Sequence, residues 1–212
     1  MIGIYGGTFD PVHYGHLRTA LEVREALGMD EVRFIPCRLP PHRGEPFFSP
    51  RQRLLFLQKA TADEPAFVVD TRELERSGPS YMVETLASLR QEVGKRPLGL
   101  IVGLDAFLGL PGWHRWEELF ELAHLVVMDR PGFNPEWPEA LQSHLTERRV
   151  LHGRLLGLEP AGKIFFQRVT RLEISATAIR QCLREGRSPR YLLPDSVLQS
   201  IGGCRAGVAC KP

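Results

Sequence analysis

Residues 13 to 16 read His-Tyr-Gly-His, a few positions after Gly6-Gly7-Thr8-Phe9-Asp10-Pro11. Two histidines three apart share one face of a helix's first turn, where the backbone N–H groups lack partners within the helix and the dipole is positive. Such a turn holds phosphate. The glycine pair lets the backbone turn tightly and approach a ligand with no Cβ in between, and Gly15 is expected to keep the surface flat enough for a nucleotide to lie on it. Either histidine alone reads as an ordinary residue at a helix start; the pair behind a glycine turn points to phosphate chemistry. The pattern is neither GxGxxG nor GxxxxGK[ST], so neither the dinucleotide fingerprint nor the P-loop applies.

A second stretch of the same kind is Ile174-Ser175-Ala176-Thr177-Ala178-Ile179-Arg180. Ser175 is a good N-cap, so the first turn offers amides and hydroxyls to phosphate oxygens, and Arg180 adds a charged fork about one turn on. Alone, this stretch is simply a capped helix. Arg43, in the proline-stiffened PPHRGEP loop, is a third cation able to close over a polyphosphate, although by spacing it reads equally as a solvated loop charge.

These residues need elements to position them. Met1 to Tyr5 reads as an apolar strand ended by Gly6-Gly7, followed by a helix with Leu17, Ala20, Leu21 and Leu27 in its stripe, Val23 at the stripe's edge and Gly28 as its stop. Strands are predicted at 31–36, 67–70, 98–103, 123–128 and 163–167, and helices from Pro50 behind the N-cap Ser49, over 80–93 and over 175–184. The helix from Pro50 is expected to use Leu54, Leu55, Leu57 and Ala60. Strands alternating with helices imply an α/β fold with a parallel sheet covered on both faces and ligands at the carboxyl ends of its strands. Residues 1–201 read as one domain, with 132–162 as a loop-rich insertion over one edge and 202–212 as a frayed tail without periodicity.

The composition sets outer limits. The chain has 212 residues, enough to bury roughly 70% of its unfolded surface. It carries 27 basic and 25 acidic residues, too even a balance for a general polyanion binder, so no nucleic-acid partner is expected. No apolar run is long enough to span a membrane and no signal-peptide pattern opens the chain, so a cytoplasmic protein without membrane contact is expected. The four cysteines, Cys37, Cys182, Cys204 and Cys210, show no zinc spacing and read as reduced thiols. No metal-ligating set is seen.

Taken together, the stretches resemble the nucleotidyltransferase superfamily marked by HxGH and ISSTxxR-like motifs. Within it, GGTFDPVHYGHL followed by PPHR resembles the bacterial nicotinate-nucleotide adenylyltransferase family over residues 1 to 201. The resemblance implies a Rossmann-like, doubly wound parallel sheet of nucleotidyltransferase type. It also implies an enzyme of NAD biosynthesis that joins nicotinate mononucleotide to the AMP part of ATP, giving deamido-NAD and pyrophosphate, with Mg²⁺ carried on ATP. By the same resemblance His13, His16, Arg43 and Arg180 are catalytic, and His42 neighbours Arg43 at the ATP phosphates. Gly6, Gly7, Thr8, Phe9, Gly103, Asp105, Ile174, Ser175 and Thr177 join His13, His16 and Arg180 in binding ATP. SYMVETL resembles the family's SYTxxTL, placing Thr85 at the nicotinate carboxylate, with Met82 where threonine is usual. GLDAF followed by PGW resembles GxDxxxxxxxW, so Asp105 accepts from a sugar hydroxyl or the adenosine side and Trp113 stacks on the pyridine ring. Arg130, in Arg130-Pro131-Gly132, falls by the nucleotide's phosphate. Ala176 stands where many members have serine, which removes at most one hydroxyl contact.

Other readings are an adenylyltransferase with a different acceptor, such as nicotinamide mononucleotide or phosphopantetheine, and a nucleotide-binding regulatory module without turnover. A tRNA synthetase is disfavoured by the short chain and by the lack of a lysine-rich KMSKS-like loop. Both histidines and Arg180 being present speaks against the module. The sequence leaves room for a homo-oligomer.

Overall fold

The computed structural model describes residues 1–40, 44–129 and 136–205, with 203–205 described by their backbone alone. Its strands are β1 (Ile2–Gly7), β2 (Glu31–Pro36), β3 (Phe67–Val69), β4 (Leu98–Gly103), β5 (His124–Asp129), β6 (Arg149–Val150) and β7 (Ile164–Arg168). They form one sheet in the order β3-β2-β1-β4-β5-β7-β6, with every pairing parallel. The helices are α1 (Tyr14–Leu27), α2 (Pro50–Thr61), α3 (Arg72–Glu75), α4 (Met82–Val93), α5 (Leu104–Leu108), α6 (Leu119–Leu122), α7 (Glu139–Arg148), α8 (Ala176–Arg184) and α9 (Asp195–Arg205). The fold is the Rossmann-like doubly wound sheet expected.

Alternation along each strand sends successive side chains to opposite faces, and both faces are apolar. Ile101, Val126 and Met128 pack with Val23 of α1, Phe56 of α2, Ile179 of α8 and Val197 of α9. Leu100, Leu125 and Val127 pack on the other side with Leu86 of α4, Phe107 of α5, Phe120 of α6 and Leu141 of α7. The chain winds outward from β1 to β3, then returns to the other side of β1 at β4. The carboxyl ends of β1 and β4 are thus the switch point at which a ligand crevice opens.

Several local expectations change. β1 runs on through Gly6 and Gly7. Val23 is fully buried in the core, whereas Leu17 and Leu27 are only partly so. On α2 the inner face is Arg53, Phe56, Leu57 and Thr61, and Leu55 points outward with 41% exposure. The described part of 132–162 holds α7, the edge strand β6 and a 3-10 turn over Gly153–Gly157, with Leu141 and Leu156 buried, so it builds one sheet edge and is not merely loop. α9 continues to Arg205, into the stretch expected to be frayed, and carries Val197 and Ile201 into the core. No helix among the described residues is long and apolar enough to cross a membrane.

Candidate active site

The turn from β1 to α1 is held by two buried charged groups. The Asp10 carboxylate accepts from the backbone N–H of Phe47 at 2.8 Å and of Phe48 at 2.9 Å. Arg53, fully buried on α2, donates to the carbonyls of Thr8 at 2.7 Å, Phe48 at 3.2 Å and Arg38 at 3.4 Å. Backbone carbonyls thus satisfy a guanidinium that burial would otherwise penalise. Neither residue was expected at the site; a charged residue inside an apolar helix stripe was the only trace Arg53 left.

His13 caps α1 and its backbone N–H donates to His16 Nδ1 at 3.3 Å. The two rings lie 3.8 Å apart between centroids. An accepting Nδ1 puts the proton of a neutral His16 on Nε2, and His16 lines the crevice while its ring edge meets Phe9. His13 does not line it. Burial lowers the pKa of His13 to about 4, so at neutral pH it is an uncharged ring packed against His16. Gly15 has another role than the flat surface expected: a Cβ there would meet the His13 ring at 2.9 Å and the Ile174 carbonyl at 3.2 Å. The glycine lets the two phosphate-type motifs touch.

At α8, Ser175 Oγ accepts from the Ala178 N–H at 3.2 Å, the expected cap. Arg180 donates from Nη1 to the Asp10 carbonyl at 2.8 Å and from Nη2 to Thr177 Oγ1 at 3.1 Å. Ala176 and Arg180 line the crevice; Ile174, Ser175 and Thr177 stand beside it and hold the helix and its arginine in place. Arg184, one turn beyond Arg180, also lines it and lies over the Phe47 ring at 5.4 Å. Its i+4 spacing from Arg180 was the signal for a residue that sequence reasoning passed over.

The crevice encloses about 930 Å³ and crosses the sheet edge from the α1 and α8 side to the α4 and α5 side. That upper-range volume suits a nucleotide-sized ligand. Gly6, Gly7, Thr8, Phe9, Gly103, Asp105 and Trp113 line it as expected. So do Tyr81 and His114, whose ring centroids lie 4.3 Å apart at a tilt of 30°, and Met82, whose Cε occupies the space a Cβ on Gly6 would take. Thr85 does not line the wall: it is fully buried, and its hydroxyl donates to Glu73 Oε1 at 2.6 Å. Glu73, its partner, does line the crevice. Arg43, His42 and Arg130 lie outside the described residues. Among the described residues no group of three or more His, Cys, Asp or Glu side chains gathers to hold a metal.

A doubly wound sheet with two helix N-termini and His16, Arg180 and Arg184 on one side of a crevice, and aromatic rings on the other, defines a nucleotide-binding α/β protein of nucleotidyltransferase type. The cytidylyltransferase-like family model matches residues 4–182. A protein of Methylococcus capsulatus named "Probable nicotinate-nucleotide adenylyltransferase" is 59% identical over 202 residues, covering 95% of this chain and 96% of its own. A relative of the same name in Halorhodospira halophila is 55% identical, covering 94% and 92%. The chain therefore belongs to the nicotinate-nucleotide adenylyltransferase family. The fold likeness extends to the Plasmodium falciparum nicotinic acid mononucleotide adenylyltransferase, solved complexed with APC (TM-score 0.70, 15% identity, 97% of this chain and 96% of that one) and with NaAD (TM-score 0.69, 18% identity, 96% and 95%).

Proposed function

We propose that the protein is an adenylyltransferase of NAD biosynthesis, joining nicotinate mononucleotide to the AMP part of ATP and releasing pyrophosphate. The observation that carries this is one crevice with cationic and amide donors at one end and aromatic rings in contact at the other. An oxygen of the acceptor's phosphate attacks the α-phosphorus of ATP, a new P–O bond forms, and the bond to the β-phosphate oxygen breaks in line as pyrophosphate leaves. No protein nucleophile is needed.

His16, donating from Nε2, and Arg180, braced by Asp10 and Thr177, stabilise charge on the transferring phosphoryl group. His13 orients His16 through the contact of their rings, and Arg43 and Arg130 supply further phosphate contacts. Mg²⁺ arrives on the triphosphate as part of the substrate, offsetting its charge. Asp105 takes a sugar hydroxyl and Trp113 the pyridine ring. Residues 1–201 act as one cytoplasmic domain on small-molecule partners.

The test is pyrophosphate release from ATP and Mg²⁺ with nicotinate mononucleotide, nicotinamide mononucleotide or phosphopantetheine as acceptor. Strongest turnover with the nicotinate nucleotide supports the proposal; another preferred acceptor overturns the pocket assignment, and ATP binding without release from any acceptor overturns catalysis.

A further inference from the structure

Glu73 is 3% exposed, yet it lines the crevice beside Ser80, Tyr81 and Met82. Its Oε1 receives the Thr85 hydroxyl at 2.6 Å, and the Ser80 side chain, whose oxygen accepts from the Arg38 N–H at 3.0 Å, lies beside the same carboxyl and favours its ionised form. The Thr85 oxygen also lies 3.3 Å from the Tyr81 carbonyl. That second partner matters, because the hydroxyl can reverse. With Glu73 ionised, Thr85 donates to it; with Glu73 protonated, Glu73 donates to Thr85 Oγ1 and Thr85 donates to the Tyr81 carbonyl. In both states Glu73 Oε1 and the Thr85 hydroxyl stay bonded to each other, so taking up a proton does not break that bond.

The charges around Glu73 leave room for either state. Arg76 favours the ionised form, but its guanidinium is also shared with Glu84 at 3.4 Å and the Tyr81 carbonyl. Asp70 opposes ionisation, and burial raises the Glu73 pKa. Across the crevice, α5 presents Asp105 and the turn beyond it His114, while Asp10, Glu45, Arg180 and Arg184 stand on the phosphate side. Two carboxylates close together in such a site cannot both stay ionised at low cost.

We propose that Glu73 is a specificity-determining residue that takes up a proton when the carboxylate of the acid acceptor binds, so that this end of the crevice carries one negative charge fewer against an anionic ring substituent. This rests on the acceptor assignment made above. A neutral amide on the ring would call for no such proton.

The test measures KM for nicotinate mononucleotide, nicotinamide mononucleotide and ATP from pH 6 to 9 in the wild type and in Glu73→Gln, with calorimetry of each mononucleotide in two buffers of different ionisation enthalpy. The ribose phosphate is common to both acceptors and cancels in their comparison. In the wild type the KM for the acid acceptor should rise with pH relative to the amide acceptor by up to about tenfold per unit, the limit for one linked proton. Calorimetry should show extra proton uptake with the acid alone, and Glu73→Gln should abolish both effects. Equal proton uptake with the two acceptors in the wild type overturns the inference without recourse to any variant, as does an unchanged pH slope in Glu73→Gln or a slope that appears in the KM for ATP. If nicotinate mononucleotide supports no pyrophosphate release, the functional proposal itself fails, a result distinct from turnover without the linkage.

Discussion

His16 and His13 are three residues apart and differ in kind. His16 meets the crevice and has its tautomer set by the His13 N–H, so under the proposed function removing it takes away a donor to the transferring phosphoryl group. His16→Ala should lower kcat by roughly 10²- to 10³-fold with a smaller change in KM, read by steady-state pyrophosphate release. His13 gives the stability of the fold a pH signature. Its folded pKa of about 4 lies below the 6.5 of a free imidazole, so the unfolded chain binds the extra proton first. Stability should therefore be whole above about pH 6.5 and decline as the pH falls toward about 4, by on the order of 3 kcal/mol. Urea unfolding at pH 7 and pH 4.5 checks this, and His13→Gln, which cannot titrate, should flatten that part of the decline.

Between elements, close approach matters more than attraction. α1 and the strand-like entry to α8 meet at Gly15, where an added Cβ would face a packed imidazole and a backbone carbonyl. A backbone atom cannot step aside as a side-chain tip can. Gly15→Ala should destabilise the protein by about 1–3 kcal/mol and lower kcat as well, since relief of the clash displaces the His13 and His16 pair. Denaturant midpoints with parallel kinetics test this; a variant of native stability and rate would show that the junction has slack. At Gly6, by contrast, the obstacle is the flexible end of Met82. The helical pattern of α1 and the cap of α8 were legible in the sequence because they depend on neighbours in the chain. That Gly15 serves the joint between them was not, because Ile174 lies far along the chain and only the fold brings it there.

The whole molecule is knit by a few long-range polar hubs. Arg90, on α4, donates to the carbonyls of Gly94 and Arg96 behind it and to those of Leu122 and Pro160 on distant segments. A lysine has no planar fork with which to copy this. Arg90→Ala and Arg90→Lys should each cost about 2 kcal/mol in urea unfolding while leaving the KM for ATP unchanged, since none of these groups lines the crevice. The sequence by itself determined the alternation of strands and helices, the glycine turn at the first strand end and the two phosphate-type motifs, all of which are written in periodicity and caps spanning a handful of residues. It also marked Asp105 and Trp113, which the crevice contains. Tertiary structure alone decided the rest: that Arg53 is buried, that Thr85 turns away from the crevice to Glu73, and that Arg180 braces on Asp10 from 170 residues away. The physical reason is that burial and hydrogen-bond partnership depend on what packs from remote parts of the chain, and neighbouring residues carry no record of it.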